Sequence, residues 1–509
     1  MMPSLALSFC PRFRRMPLSL FLLALACLLL PMTAWTQVTF DGGQSVNIGS
    51  QAVGSTSAAV SLPFTIGAGT KVGSIGVLTT GVAGMDFARA KKSTCGAKTY
   101  TTATICVVNV TFTPLTAGMR MGAVVFYSRA LDAGRVLATV PVFGIGTGPQ
   151  MVFGPEGAKT RVGSKFVSPR GVAADAAGNL YVSDTDLQEV FKVTPSGTQT
   201  TVGSGLLVPQ GLAVDGAGNV YIGDVQAQVV YKVTPGGAQT TVGNGFYMPM
   251  GVAVDGAGNV YVCDPWIDGC YQITPSGAQN SVGGGYNTPE GVAVDVAGNV
   301  YVADPFNAAV FKITPDGTQT TVGSLIAPQA VAVDAAGNVY VTDPGNDTVT
   351  EVAPNGVQTT VSSGLDVPDG LALDGSGNLY IANTFNKQVL KIDRADPPSL
   401  KFDSTKEGST SRDSPKTVEV ENIGNASLQF SGLTYPTDFP EGASNEDCTA
   451  GTSLTSAGAC ALAIDFSPVT PLGNKTSKVL RENVTLTTNT LNVPNTLQRV
   501  VVTGKELAK

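Results

Sequence analysis

Between residues 169 and 393, short runs of alternating apolar and polar residues recur at nearly constant spacing. The stretch Gly291 to Pro305, GVAVDVAGNVYVADP, shows the unit most plainly. An alternating run ends in Asp, a Gly-Asn step follows, and a second alternating run ends in another Asp. Alternation of period two predicts half-buried strands. The Gly-Asn step predicts a tight turn, because both residues tolerate positive φ. Two further runs complete each unit, of the types VFKITP and QTTVG, separated by Thr-Pro-x-Gly, another turn signature. The Asn of the step falls at Asn179, Asn219, Asn259, Asn299, Asn338 and Asn378, giving spacings of 40, 40, 40, 39 and 40. That period accommodates four strands of ~5–6 residues with their turns.

The units lie near 169–203, 209–243, 249–283, 289–323, 328–361 and 368–393. The last has three strands and then runs into Arg394-Ala395-Asp396-Pro397-Pro398. An orphan fourth strand, 159–163, stands before the first unit. This displacement by one element predicts a ring whose last sheet is completed by the N-terminal strand, a closure that also removes an open sheet edge.

The pattern P-x-G-(V/L)-A-(V/L)-D-x-x-G-N-(V/L)-Y-(V/I)-x-D, seen from Pro289 to Asp304, resembles NHL-repeat propellers. Ala174, Ala330 and Asn383 are departures from it. The resemblance spans about 159–394 and implies a six-bladed β-propeller. It implies little about activity, since such propellers serve as RNA binders, sensors, interaction platforms and lyases.

The flanks, 37–148 and 398–509, resemble one another in Cys106-VVNVTFTPLTAGMR and Cys460-ALAIDFSPVTPLGNK. Alternation beside Pro and Gly turns, at this length, predicts an immunoglobulin-like β-sandwich on each side of the propeller. Val418 to Gly432, VEVENIGNASLQFSG, resembles a strand of bacterial Ig-like modules of the ASPM/SPD-2/Hydin type. The expected fold is thus all-β, with a propeller at 149–396 and linkers at Gly146 to Pro155 and Ala395 to Pro398.

Residues 1–36 read as a signal peptide: Arg12, Arg14 and Arg15 precede an apolar run from Leu18 to Leu30 that is short for a membrane span. No further span is expected once it is cleaved, and the protein is placed in the periplasm, at the cell surface or outside the cell. Six cysteines then remain, in the close pairs Cys95/Cys106, Cys263/Cys270 and Cys448/Cys460, a pattern that suggests disulfides.

Histidine is absent from all 509 residues. This removes His-based triads, His general bases and His-ligated metals. The net charge of −7, with 10 Lys/Arg against 21 Asp/Glu over 159–394, disfavours nucleic acid. A monomeric, non-enzymatic binding protein is therefore expected, recognising a protein, peptide or glycan of the cell envelope. A calcium-carboxylate lactonase and a structural spacer or adhesin are the alternatives.

Two sets of repeated aspartates fall at opposite rims. Asp175, Asp215, Asp255, Asp295, Asp334 and Asp374 open the D-x-x-G-N turns and are expected to accept their own turn amides. Asp184, Asp224, Asp264, Asp304 and Asp343, with Asn383, close the second strands, where turn support or a calcium or ligand site are both open. Residues that vary between otherwise alike units escape the common fold requirement. On that ground Trp266, Phe306, Phe385, Tyr247 and Tyr286 are candidate ligand contacts with Asp264 and Asp304, and Phe166 and Phe246 share their face. Lys192, Lys232 and Lys312 read as solvated strand-face residues.

Overall fold

The computed structural model describes residues 37–130, 135–154, 158–444, 447–469, 472 and 475–508. The expected signal peptide lies outside them. The protein is nearly all β: among the described residues the helical structure is one 3-10 turn, Thr490–Asn492. None of their helices is long and apolar enough to cross a membrane.

Six four-stranded antiparallel sheets form the middle of the chain. The first runs Pro169–Ala174, Leu180–Asp184, Glu189–Val193 and Gln199–Val202, in that order. The next four repeat this order, whereas the last takes its outer strand from far upstream. Ala158–Val162 pairs with Gln388–Asp393, with Lys159 opposite Ile392 and Val162 opposite Val389. The first strand of each sheet lies beside that of the next, and Pro368–Leu373 in turn lies beside Pro169–Ala174. The sheets thus stand in a closed ring of propeller type.

Apolar seams hold neighbouring sheets together. Ala213, Tyr221 and Val230 of the second pack on Phe246, Val252, Val260 and Val262 of the third. The seam between last and first is built alike, from Ala372, Tyr380 and Val389 against Phe166, Val172 and Leu180. The glycine of P-x-G has a specific task here. A Cβ on Gly171, Gly211, Gly251, Gly291 or Gly370 would fall 2.0–2.4 Å from the neighbouring sheet's carbonyl oxygen. At these five positions a side chain would force the first strands apart, while the sixth place is taken by Ala330.

Each flank forms two main sheets around a core, and the N-terminal one adds a two-stranded ribbon, Thr70–Lys71 with Thr99–Tyr100. Leu62, Phe64, Phe87, Phe112, Val124 and Phe126 fill the N-terminal one. Phe402, Phe430, Phe439, Phe466, Val484 and Val500 fill the C-terminal one. The three cysteine pairs are disulfides: Cys95–Cys106, Cys263–Cys270 and Cys448–Cys460. One expected linker is corrected: Met151–Gly154 is a strand, paired in register with Asn422 to Glu419 of the C-terminal flank. It supplies Met151 and Phe153 to that flank's core, which explains an apolar MVF at a supposed boundary.

The N-terminal flank covers the Gly-Asn turn face of the ring. Gly81 N–H donates to Gly216 O at 3.2 Å. A Cβ on Gly216 would meet Gly122 O at 2.2 Å, and one on Gly256 would meet Phe143 at 2.7 Å. Gln150 Nε2 donates to Gly375 O at 2.9 Å. The opposite face carries the crossovers and the loops between second and third strands.

Candidate functional site

The two rims resolve differently from the axis. On the covered face, one carboxylate organises each turn. Asp215 Oδ1 accepts the amides of Ala217 and Asn219 at 2.9 Å each, while Oδ2 accepts Asn219 Nδ2 at 2.7 Å and the Tyr221 hydroxyl at 3.1 Å. The other five turns repeat these four bonds, as at Asp175 and Asp334. The repeated Tyr is thus part of the turn, a link that the local reading missed. Burial, with the adjacent carboxylate, pushes the Tyr221 hydroxyl well above its ordinary value. Lys192, Lys232 and Lys312 stand on the strand faces, half-buried, and each also covers a ring. Their ammonium groups lie 5.3, 5.1 and 5.5 Å from the ring centres of Tyr181, Tyr221 and Tyr301.

On the open face the second set of aspartates is buried and engaged. Asp184, Asp224, Asp264, Asp304 and Asp343 each accept the amide of a crossover residue 17 positions earlier, and Asn383 Oδ1 does so from Asp366. Asp304 also accepts from Asn307, through its amide at 3.2 Å and its Nδ2 at 2.9 Å. Burial raises the Asp304 carboxyl, and these bonds oppose the rise. Asp264 and Asp304 are therefore corrected from ligand contacts to loop supports, since a carboxylate saturated by amides has little left for a ligand. Calcium needs about 6–8 oxygens at close range. The carboxylates considered for it are occupied, and the described residues contain no cluster of three or more acidic or cysteine ligands placed for a metal.

The candidate aromatics divide. Trp266 is 68% exposed, Phe306 74%, Phe385 63% and Tyr247 50%. Tyr286, by contrast, is 7% exposed and lies edge-on to Phe311 at 5.7 Å, its hydroxyl donating to Val282 O. Phe166 and Phe246 are buried in the same way against Phe191 and Tyr271. These three plug the seams, as Leu206, Leu325 and Leu365 do elsewhere, so they are withdrawn as contacts. Asp264 ties the backbones that carry two of the exposed rings: Tyr247 N–H donates to its Oδ2 at 2.6 Å and Trp266 N–H to its Oδ1 at 3.0 Å.

The axis holds the group that the sequence reading did not single out. The x of P-x-G is Arg170, Gln210, Met250, Glu290, Gln329 and Asp369 in turn, and all six line one pit of about 80 Å³ on the open face. Val172, Leu212, Val252, Val292, Val331 and Leu371 line it further along the same strands. Pro169 pairs with Asp184, which sets the start of a first strand beside the end of a second and fixes the pit on this face. Arg170 Nη1 bonds Asp369 Oδ2 across the last seam. Burial pushes the Glu290 carboxyl up to about 7; Asp369 and Asp304 add to the rise, while a Gln329 hydrogen bond and Arg170 oppose it. Burial also raises the Asp369 carboxyl, against the pull of Arg170. A carboxyl that exchanges its proton near neutrality, beside a fixed ion pair, is equipped for acid–base work. The signal was available: x varies from unit to unit, whereas its flanking residues are Pro and Gly except at Ala330.

The geometry defines an all-β protein of propeller type with one face covered and a polar pit on the other. No protein-family model matches the chain, and neither does any curated protein. Among solved structures it is similar to a virginiamycin B lyase from Staphylococcus aureus, at 11% identity and a TM-score of 0.38, over 48% of this chain and 99% of the other. It is similar to a gluconolactonase from Xanthomonas campestris, at 14% identity and a TM-score of 0.43, over 48% and 95%. A nidogen/laminin complex is a third, at 18% identity and a TM-score of 0.37, over 42% and 93%. The expectation of a protein that is not an enzyme is corrected by these neighbours, two of which are named as enzymes. At such identities the likeness speaks for the fold alone.

Proposed function

We propose that the protein is an exported six-bladed propeller held between two immunoglobulin-like sandwiches, and that its open face takes a ligand at the axis, where Glu290 exchanges a proton with it. The flanks would be 37–148 and 398–509, the latter borrowing Met151–Gly154. Three disulfides fit an oxidising compartment. The observation that carries the functional part is the gathering of Arg170, Glu290 and Asp369 in one pit, although 199 positions separate Arg170 from Asp369. Nothing in the repeat requires charge at these three positions, since Gln210, Met250 and Gln329 serve equally well as ring members. Arg170, fixed by Asp369, would orient the ligand, and Glu290 would give or take the proton.

The test is turnover by the full chain of sugar lactones, glycosides and simple esters, compared with Glu290→Gln and Arg170→Met. A hydrolysed substrate whose rate falls on the order of 10²-fold in Glu290→Gln supports the reading. Turnover indifferent to both substitutions overturns it, as does ligand binding without turnover that both variants retain.

A further inference from the structure

We infer that the ligand of this face is a neutral saccharide, with one hydroxyl seated between Arg170 and Gln329 at the axis and a sugar ring lying on Tyr247 and Trp266. The inference rests on the open face being the working face, and it specifies what that face recognises.

Two buried polar atoms in the pit meet no protein partner: Arg170 Nε, a donor, and Gln329 Oε1, an acceptor. Buried polar groups in native proteins are nearly always paired, so a complementary group at both is expected. A hydroxyl can accept from a donor such as the first and donate to an acceptor such as the second. A carboxylate offers Gln329 no proton and would face Asp369 and Glu290. An ammonium offers Arg170 no lone pair and would face its charge. A pit of about 80 Å³ also admits one small group rather than a whole ring.

The remainder of the ligand must then lie outside the pit. Tyr247 stands three residues before the axial Met250, so at most about 10 Å of chain separates them. The backbone amides of Tyr247 and Trp266 are both held by Asp264. Cys263–Cys270 closes the loop that carries Trp266, on paired strands with those residues in register. The two rings are thus exposed and large, and the backbone that carries each is fixed before any ligand arrives, which lowers the ordering cost of binding. Aromatic faces suit the C–H face of a sugar, while the donor and acceptor at the axis suit its hydroxyls. Phe306 extends the apolar rim on the next unit.

The experiment is titration of the full chain with neutral oligosaccharides (cello-, malto- and chitotriose), with oligogalacturonate and with neutral and charged peptides, followed by ligand-observed NMR and calorimetry. Gln329→Leu and Trp266→Ala are tested beside the parent, with unchanged melting as the folding control. A neutral sugar that binds the parent and weakens about tenfold or more in each variant is the expected result. If instead a peptide or the acidic sugar binds and weakens in both variants, the saccharide assignment falls while the working face stands. If bound sugars are indifferent to both variants, or if none of these ligands binds, the inference is overturned. Indifference to Glu290→Gln and Arg170→Met as well would overturn the open-face reading too.

Discussion

Replacing Glu290 by Gln tests the physics of the axis directly. In the unfolded chain the carboxyl ionises near its ordinary value of 4.5, whereas burial in the pit carries it to about 7. Below the lower value both states hold the proton and the group is neutral to stability. Between the two, the native state keeps a proton that the unfolded state has released. Stability therefore falls as pH rises through this window, and the loss is complete above about 7. At ~1.4 kcal/mol per factor of ten, the full loss is at most about 3.5 kcal/mol. The mouth of the pit is open to water, and screening reduces the figure to roughly 1–2 kcal/mol. Gln keeps the shape and the hydrogen bond to Gln329 but cannot ionise. The variant should match the parent at about pH 4 and be more stable by roughly 1–2 kcal/mol at about pH 9. For a unit of this size that is a rise in melting temperature of roughly 3–6 °C. Thermal melts of both proteins followed by circular dichroism at the two pH values measure it. Equal melting at high pH would mean that Glu290 ionises as an exposed glutamate does, and that the axis is not desolvated. A gain of the same size at both pH values would point to packing instead of charge.

Other sites give independent checks. Arg394 is fully buried between Glu351 and Glu421, joining ring to C-terminal flank, and burial with the Glu421 charge raises the Glu351 carboxyl. Arg394→Met should cost about 3–5 kcal/mol in urea unfolding by stranding two carboxylates, and adding Glu351→Gln and Glu421→Gln should recover much of it. Gly211→Ala would set a Cβ 2.0 Å from Met250 O, where only backbone movement can relieve it. A loss of more than about 3 kcal/mol is expected, and a neutral effect would refute the close approach at the axis. Asp215→Ala removes four hydrogen bonds from one turn and should lower stability by about 2–4 kcal/mol, with Asp215→Asn intermediate. Replacing both Cys263 and Cys270 by Ala should cost about 2–3 kcal/mol and raise amide exchange around Trp266. Unchanged exchange there would show that Asp264 alone fixes the loop.

What the sequence made legible follows from contacts between near neighbours in the chain. The D-x-x-G-N turns could be read because Asp215 bonds residues two and four positions on. The disulfides could be read because their cysteines stand 7 to 12 positions apart. The strands could be read because alternation reports which face of a strand is buried. Where burial depends on a neighbouring sheet, the reading failed. Phe246 and Tyr247 are adjacent aromatics of like character, yet one plugs a seam and the other stands in water, and only the packing of the next sheet distinguishes them. Met151–Gly154 likewise reads as a linker because its partner strand begins more than 250 residues later.

The sequence by itself determined a repeating β unit, its turns, its local cross-links and the arithmetic by which an N-terminal strand completes the last sheet. Tertiary structure alone decided which face is open and what stands at the axis. Arg170, Glu290 and Asp369 are distant in the chain and each looks like a free choice within its own unit. They become one charged pit because the first strands converge on a single axis, and because the N-terminal flank covers the opposite side.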